Sequence, residues 1–538
     1  MKRLTNKVIV GLFCLEGNLN NMNKTKSSIL EGAISLTIAT LTIKILGAIY
    51  KIPLSHILKD EGMGYFNSAY TIYSFFYLIC TAGVPKAIMI ICGNASNGIE
   101  QKHVLKAGVR LFAKLGIITT VLLCVLSYPL SHLIGSPHSR ESILIIAPSI
   151  LFSAVSGVYR GYYSAGTKFL HVAISQIIEG TIKLILGLAL AYISNSLYMP
   201  IYHISAFTIL GATLGSLGSM IYLFVLNKSK LSNDNTKQNC SLSEKMIVKN
   251  ILNLSIPIAV SAMVMSITNI IDLGMIMNRL QALGYTKAES TSLYGNYTTY
   301  AIPIFNSIIS LITPITIAFI PQLTKAKHQS KVFVRILNNE LEALWAIFIP
   351  LTFGISIYSE DILTLLFDDK GVRLGGILLV YLLFSLVFLL PLVVLNSALE
   401  AIGVAKAPLI SMCIGGIFKI FTGYILISTE TINIYGAPIS TLISYAASLV
   451  VSLILSNKHK ITPSVFKSIG LPLINSFVSI FPLYILYLKL SQQNYAVCNF
   501  LMFGVISVII YIILNIAEGN IKKYRELKNT KTTITALS

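Results

Sequence analysis

Lys44 and Lys51 stand seven residues apart in the apolar run LTIKILGAIYKIPLS, residues 41–55. A lysine near the middle of a membrane-crossing helix costs roughly 2.5 to 3.5 kcal/mol, so it is kept where a partner or a water-filled cavity receives the charge. Asp272 and Arg279 stand at the same separation in ITNIIDLGMIMNRLQALG. Seven residues is nearly two helical turns, so each pair shares one face with about 10 Å of rise between its members. Lys86 and Arg160 are further cations in or at the edge of apolar runs, with few acidic neighbours in sequence. Cations around a wet cavity favour an anionic guest, and Lys44, Lys51, Lys86 and Arg160 are its expected binding residues. Lys51 has a second reading, since it lies within reach of the outer interface and can snorkel there as an anchor. Asp272, with Arg279, is the expected coupling or gating element; a structural ion pair of Asp272 with Arg279 or Lys44 is the alternative. Pro85 and Pro314 fall deep in apolar runs, where each removes a backbone hydrogen bond and frees a carbonyl. Either can bend a moving helix or form a static, packed kink.

The elements that must hold these residues are membrane helices. Of 538 residues, 54% are hydrophobic and 12% charged, and the mean hydropathy is +0.75, outside the balance of soluble domains. Fourteen apolar runs succeed one another between positions 28 and 516. Each has about the 20 residues that a helix needs to cross the hydrocarbon core, twice what a barrel strand needs. A net charge of +20 would suggest nucleic acid in a soluble protein, but the Lys and Arg sit mostly in alternate loops, as the positive-inside rule requires. The expected protein is all-α, multi-pass in the cell membrane, with both termini cytoplasmic and no nucleic-acid partner. The seven cysteines are scattered and the eight histidines lack ligand spacing. Nothing resembles a phosphate loop or a nucleophile elbow. No metal, cofactor or catalytic residue is expected, which argues against an enzyme.

The stretch FNSAYTIYSFFYLICTAGVP (66–85) lies over GNYTTYAIPIFNSIISLITP (295–314) without a gap. Asn67 falls on Asn296, Phe76 on Phe305 and Pro85 on Pro314, with Tyr65 on Tyr294 just before. Duplicated bundles rocking about a central site are the hallmark of alternating-access transporters. The match equates the helix of Lys44 and Lys51 with that of Asp272 and Arg279. The expected organisation is a basic segment at 1–27, an N-lobe of six helices at 28–227 and a cytoplasmic inter-lobe loop at 228–249. A C-lobe of six helices follows at 250–456, then two further helices at 457–517 and a basic cytoplasmic tail at 518–538. Residues 1–21 hold a short apolar stretch without a small-x-small cleavage site, and Met22 opens a second basic start, MNKTKSS. A start assigned too far upstream is expected there, with a cleaved signal or an interfacial arm as alternatives.

Other intramembrane charges carry simpler expectations. Arg110 and Lys114 can snorkel, Glu340 and Glu342 sit in the first turns of the ninth run, and Glu179 and Lys183, four apart, can pair on one helix.

KILGAIYKIP (44–53), DEGMGYFNSAYTIY (60–73), TAGVPKAI (81–88), YRGYYSAG (159–166), ISQIIE (174–179) and INIYGAPISTLISY (432–445) resemble a known family. It is the polysaccharide biosynthesis and export branch of the multidrug/oligosaccharidyl-lipid/polysaccharide flippase superfamily, and within it the stage V sporulation group. The resemblance implies two pseudo-symmetric six-helix lobes about a central cavity, two extra C-terminal helices, and alternating access. It implies a polyprenyl-diphosphate-linked saccharide as cargo, the peptidoglycan precursor for spore cortex, with membrane lipids and cell-wall synthesis proteins as further partners. It also places Lys44 where related flippases carry a diphosphate-binding arginine. YGNYTTYAIP (294–303) lacks the arginine of their eighth helix, and Lys51 replaces the arginine usual in this branch. Lysine offers a point charge rather than a bidentate fork, so the headgroup geometry does not carry over. Two other functions stay open. A drug or cation antiporter of this fold would need carboxylates to dominate its cavity. A non-transporting scaffold for cell-wall synthesis would need soluble interaction segments, whereas the longest loop, 227–249, is short and polar.

Overall fold

Apolar runs in lipid can satisfy their backbone polar groups only within a helix or a closed barrel. In the computed structural model every described element is a helix. The structure describes residues 49–517, with 42, 46 and 47 before them, except 94, 96–97, 232–243, 327–328, 368–370, 405, 462, 491–499 and 501. Lys44, most of the first expected run, the segment 1–27, most of the inter-lobe loop and the tail lie outside the described residues.

The chain divides into two compact units, Met1–Gly274 and Met275–Ser538. The first opens with α1 (49–81), followed by α2 (Val84–Gly93), α3 (Gly98–Leu133), α4 (Ser139–Ile146), α5 (Pro148–Ala165), α6 (Phe169–Ser196) and α7 (Ile201–Leu231). It ends within α8 (Glu244–Ala282). Lys59 has a left-handed φ of 52° within the otherwise continuous α1. The break at Ala82 and Gly83 falls just before Pro85 and leaves that proline in the first turn of α2. There its missing N–H is one that the helix would not have used.

The second unit runs through α9 (Lys287–Asn296), a π turn (Tyr297–Ala301), α10 (Ile302–Ala326), α11 (Ser330–Ile357) and α12 (Ser359–Phe367). It continues through α13 (Val372–Phe384), α14 (Leu386–Ala401), α15 (Lys406–Ile427), α16 (Gly436–Lys458), α17 (Gly470–Leu490) and α18 (Met502–Ala517). Nine described helices are long and apolar enough to cross a membrane, and α13 with α14, bent by 40°, makes a tenth. Tyr511 of α18 donates to the Ala346 carbonyl at 2.7 Å, and Tyr487 of α17 donates to Asp361 at 3.0 Å. The C-terminal helices are thereby tied to α11 and α12.

The packing is that of a membrane protein turned apolar side out. Ile117, Ile118, Val121 and Val125 on α3 and Ile417 and Phe421 on α15 are exposed. Helix contacts are instead made by small and hydroxyl residues, such as Ser142 on Ser205 at 3.3 Å, Ser74 on Ser266 at 3.0 Å and Ser452 on Asn396 at 2.9 Å. The matched tyrosine, asparagine and phenylalanine positions are buried in both units. Tyr65, Asn67 and Phe76 are buried in the first, and Tyr294, Asn296 and Phe305 in the second.

Candidate functional site

The strongest concentration of charge and ring chemistry among the described residues lies on α6. Two glycines of α7 set it in place. A Cβ at Gly211 would stand 2.5 Å from the Cα of Gly187, and one at Gly215 would stand 2.6 Å from the Glu179 carbonyl. The pattern Gly-x-x-x-Gly therefore lets α7 lie against α6 backbone to backbone, as in small-residue helix interfaces in membranes. The close fit fixes the rotation of α6, and with it the directions of Glu179 and Lys183.

Glu179 pairs with Arg160 of α5. The guanidinium Nη2 donates to Glu179 Oε2 at 2.7 Å and to Ser219 Oγ of α7 at 2.9 Å, and Nε donates to Ser175 Oγ at 3.0 Å. The two side chains are 14% and 32% exposed, so the pair is partly shielded and three helices meet on one arginine. Arg160, an expected anion ligand, is engaged in organising α5, α6 and α7. The same-helix pair of Glu179 with Lys183 gives way to this one, because Arg160 brings a charge-assisted hydrogen bond and two serine acceptors.

Lys183, one turn along α6, lies over two rings. Its Nζ is 4.7 Å from the centroid of Tyr70 and 5.3 Å from that of Tyr50, within cation–π range of both. Tyr50 reaches this position because Gly187 has no side chain: a Cβ there would be 2.9 Å from the Cε2 and Oη of Tyr50. Lys51, the next residue after Tyr50, is partly buried and close enough to Lys183 for their charges to repel. From here rings continue along α1: Phe66 to Tyr70 at 4.8 Å, Tyr70 to Tyr73 at 5.9 Å and Tyr73 to Tyr77 at 5.4 Å. Tyr70, Tyr73 and Tyr77 are each partly exposed, and Ser149 Oγ of α5 donates to the Ile146 carbonyl at 2.7 Å. Tyr73 and Tyr77 stand within electrostatic reach of Glu179.

The structure thus joins Lys51 and Arg160 through α6 and adds Lys183, Tyr50, Tyr70, Tyr73 and Tyr77. In the sequence Lys183 carries only the expectation of a same-helix pair with Glu179. The signal for the tyrosines was present in YTIYSFFY, whose tyrosines recur at three and four residues, a helical face. Lys86 is exposed on α2, which packs against α5. Three cations against one carboxylate, with phenol donors beside them, form a site that attracts an anion and can donate hydrogen bonds to its oxygens.

In the second unit Arg279 stacks on Tyr424 of α15, its Cζ 4.2 Å from the ring centroid, and donates to the Tyr424 hydroxyl at 2.8 Å. Its guanidinium is thus spent on a tyrosine. Asp272 is partly buried on α8. Pro314 lies within α10, and the larger irregularity of that span is the π turn just before Pro303, a device that helices often carry at functional positions. Glu340, expected near the interface, is fully buried on α11. A separate apolar cavity of about 450 Å3, walled by Trp345, Phe353, Phe384, Leu390 and Leu473 among others, lies between α11, α13, α14 and α17. Among the described residues no group of His, Cys, Asp and Glu could hold a metal ion.

Residues 29–327 match the polysaccharide biosynthesis protein family, which is more than half of the chain. The chain belongs to that family. It is 24% identical over 458 residues to the lipid II flippase MurJ of Bacillus subtilis, covering 80% of this chain and 83% of that protein. It is 21% identical over 428 residues to stage V sporulation protein B of the same organism, covering 77% and 81%. Among solved structures it resembles an inward closed conformation of the lipid II flippase MurJ, with a TM-score of 0.68 at 19% identity over 92% of this chain and 99% of the other. It also resembles an inward-facing conformation of a multidrug resistance transporter of the MOP superfamily, with a TM-score of 0.60 at 15% identity over 80% and 98%. The all-α polytopic fold expected from the sequence is the fold found.

Proposed function

We propose that this family member is an alternating-access flippase that moves a polyprenyl-diphosphate-linked saccharide across the cell membrane, with the peptidoglycan precursor as cargo. The observation that carries the reading is the group of Lys51 and Lys183 with Tyr50, Tyr70, Tyr73 and Tyr77 inside a bundle of membrane helices. A diphosphate cannot cross bare hydrocarbon at a tolerable cost, and such a group supplies the charge and hydrogen bonds that lipid lacks. Lys51 and Lys183 are the proposed diphosphate contacts, and Lys44 is proposed to join them. Arg160 acts through Glu179 by holding α6, and Lys86 is a peripheral cation at the edge of the same lobe. Asp272 is the proposed coupling residue, with Arg279, Pro85 and Pro314 as gating elements. Both termini are proposed to be cytoplasmic. The relatives support the cargo class, one being named a lipid II flippase; the other, named a stage V sporulation protein, supports a role in sporulation, for which we propose the cortex precursor as cargo.

A drug or cation antiporter is disfavoured by the preponderance of cations over Glu179 at the site. Proteoliposomes loaded with three probes separate the readings: a polyprenyl-diphosphate saccharide, the same polyprenyl saccharide without phosphate, and a cationic dye. The flippase reading expects movement of the first alone. Movement of the dye with the first probe left in place would establish the antiporter instead.

A further inference from the structure

We propose that the first turns of α3 hold a binding site for the phosphate headgroup of an anionic membrane lipid, in competition with Glu244 of α8. A cavity of about 200 Å3 opens between α3, α5 and the end of α7. Its polar lining is Lys102, Lys106 and Arg110 from three successive turns of α3, with Asn227 from α7. Its apolar walls are Leu105, Val109 and the ring of Tyr159, of which Leu105 and Tyr159 are each 4% exposed. Arg160, the next residue after Tyr159, turns instead to α6 and α7. The cavity is therefore distinct from the Lys51 and Lys183 group, and the proposal does not depend on the function assigned to that group.

The shape of the surrounding surface selects a lipid over a soluble anion. Lys106, Arg110 and Lys114 follow one another at four-residue steps on one face of α3, and Ile117, Val121 and Val125 continue that face. All six are exposed. A basic foot below a bare aliphatic strip matches a molecule with an anionic head and hydrocarbon chains, lying along the helix with its phosphate in the cavity. Inorganic phosphate would leave the strip unused.

Arg110 is already committed. Its Nη1 donates to both carboxylate oxygens of Glu244, at 2.8 and 3.0 Å. Glu244 is the first residue of α8. Both side chains are more than half exposed, at 63% and 56%, so the pair is screened and readily exchanged. A lipid phosphate in the cavity takes Arg110 from Glu244 and releases the start of α8 from α3. Occupancy by lipid and the Arg110–Glu244 pair exclude one another.

The test uses the full chain in neutral-detergent micelles, with lipid retained on the protein counted by native mass spectrometry. Phosphatidylglycerol, phosphatidylcholine and inorganic phosphate are the probes. The expected result is preferential retention of phosphatidylglycerol, weakened about fivefold by each of Lys102→Gln and Lys106→Gln and strengthened by Glu244→Gln. Equal retention of phosphatidylcholine, displacement of the lipid by inorganic phosphate at comparable concentration, or unchanged affinity in Glu244→Gln would each overturn the proposal. The Glu244 variant gains affinity under the proposal, so poor folding of a lysine variant cannot imitate support.

Discussion

Arg160 illustrates how a single side chain changes meaning between sequence and structure. In the chain it is a cation near the end of an apolar run; in the fold it spans Ser175, Glu179 and Ser219 on two other helices. Removing one partner strands the other, so Arg160→Ala is expected to lower stability in detergent by about 2 kcal/mol, less than for a fully buried pair because Glu179 keeps some access to water. Replacing both, as Arg160→Met with Glu179→Leu, is expected to recover most of that loss. Denaturant unfolding of the two variants checks this; a double variant no better than the single would show that Arg160 acts through packing rather than charge. The depth of charges within apolar runs was legible in the sequence, and it singled out Lys51 and Arg160 alike. Their partners were not. Spacing ranks partners on the same helix, which favoured Lys183 for Glu179, while the winning partner came from α5. Lys183 was thereby left for Tyr50 and Tyr70.

At the scale of elements, glycines and caps decide where side chains end up. Gly211→Ala places a Cβ 2.5 Å from the Gly187 Cα, so α6 and α7 must part, at an expected cost of about 1 to 3 kcal/mol. Gly416→Ala on α15, where nothing lies within 4 Å of the new Cβ, is expected to be neutral or slightly stabilising through helix propensity. Thermal unfolding of the two variants side by side tests the close approach. The junction of α8 and α9 is set by Gly284 at φ 96° and by a capping box, in which Thr286 Oγ1 accepts from the Glu289 N–H at 3.2 Å and Glu289 accepts from the Thr286 N–H at 2.8 Å. Thr286→Ala is expected to cost about 1 kcal/mol. The Thr286 backbone N–H and then its hydroxyl hold the Glu289 carboxyl below its usual range. That contribution is present above the ordinary glutamate value and is lost as pH falls through the depressed one, so Glu289→Gln should flatten the acid limb of the stability profile. The capping box has a sequence signature, T-x-x-E, and the helix breaks at Gly83 and Gly284 are glycine positions. The π turn at Tyr297–Ala301 has none, because it answers to the packing of its span rather than to local propensity.

At the scale of the whole molecule, composition and the period of apolar runs were enough for the class, and scattered motifs were enough for the family. Tyr65, Tyr294, Asn67 and Asn296, matched in the ungapped comparison, are all buried, as positions under packing constraint are. The tyrosine and lysine group was only half legible, because it is assembled from α1 and α6, more than a hundred positions apart in sequence. Its purpose under the proposed function is to exchange the hydration of a diphosphate for ammonium and phenol donors within the bundle. The most direct measurement is translocation of a fluorescent polyprenyl-diphosphate saccharide in proteoliposomes, comparing the wild type with Lys51→Ala and Lys183→Ala proteins inserted to equal density. The account predicts movement by the wild type and a loss of about tenfold or more in each variant, the effect of removing one charge-assisted contact of about 1.5 to 3 kcal/mol. Unchanged movement by both variants would contradict it.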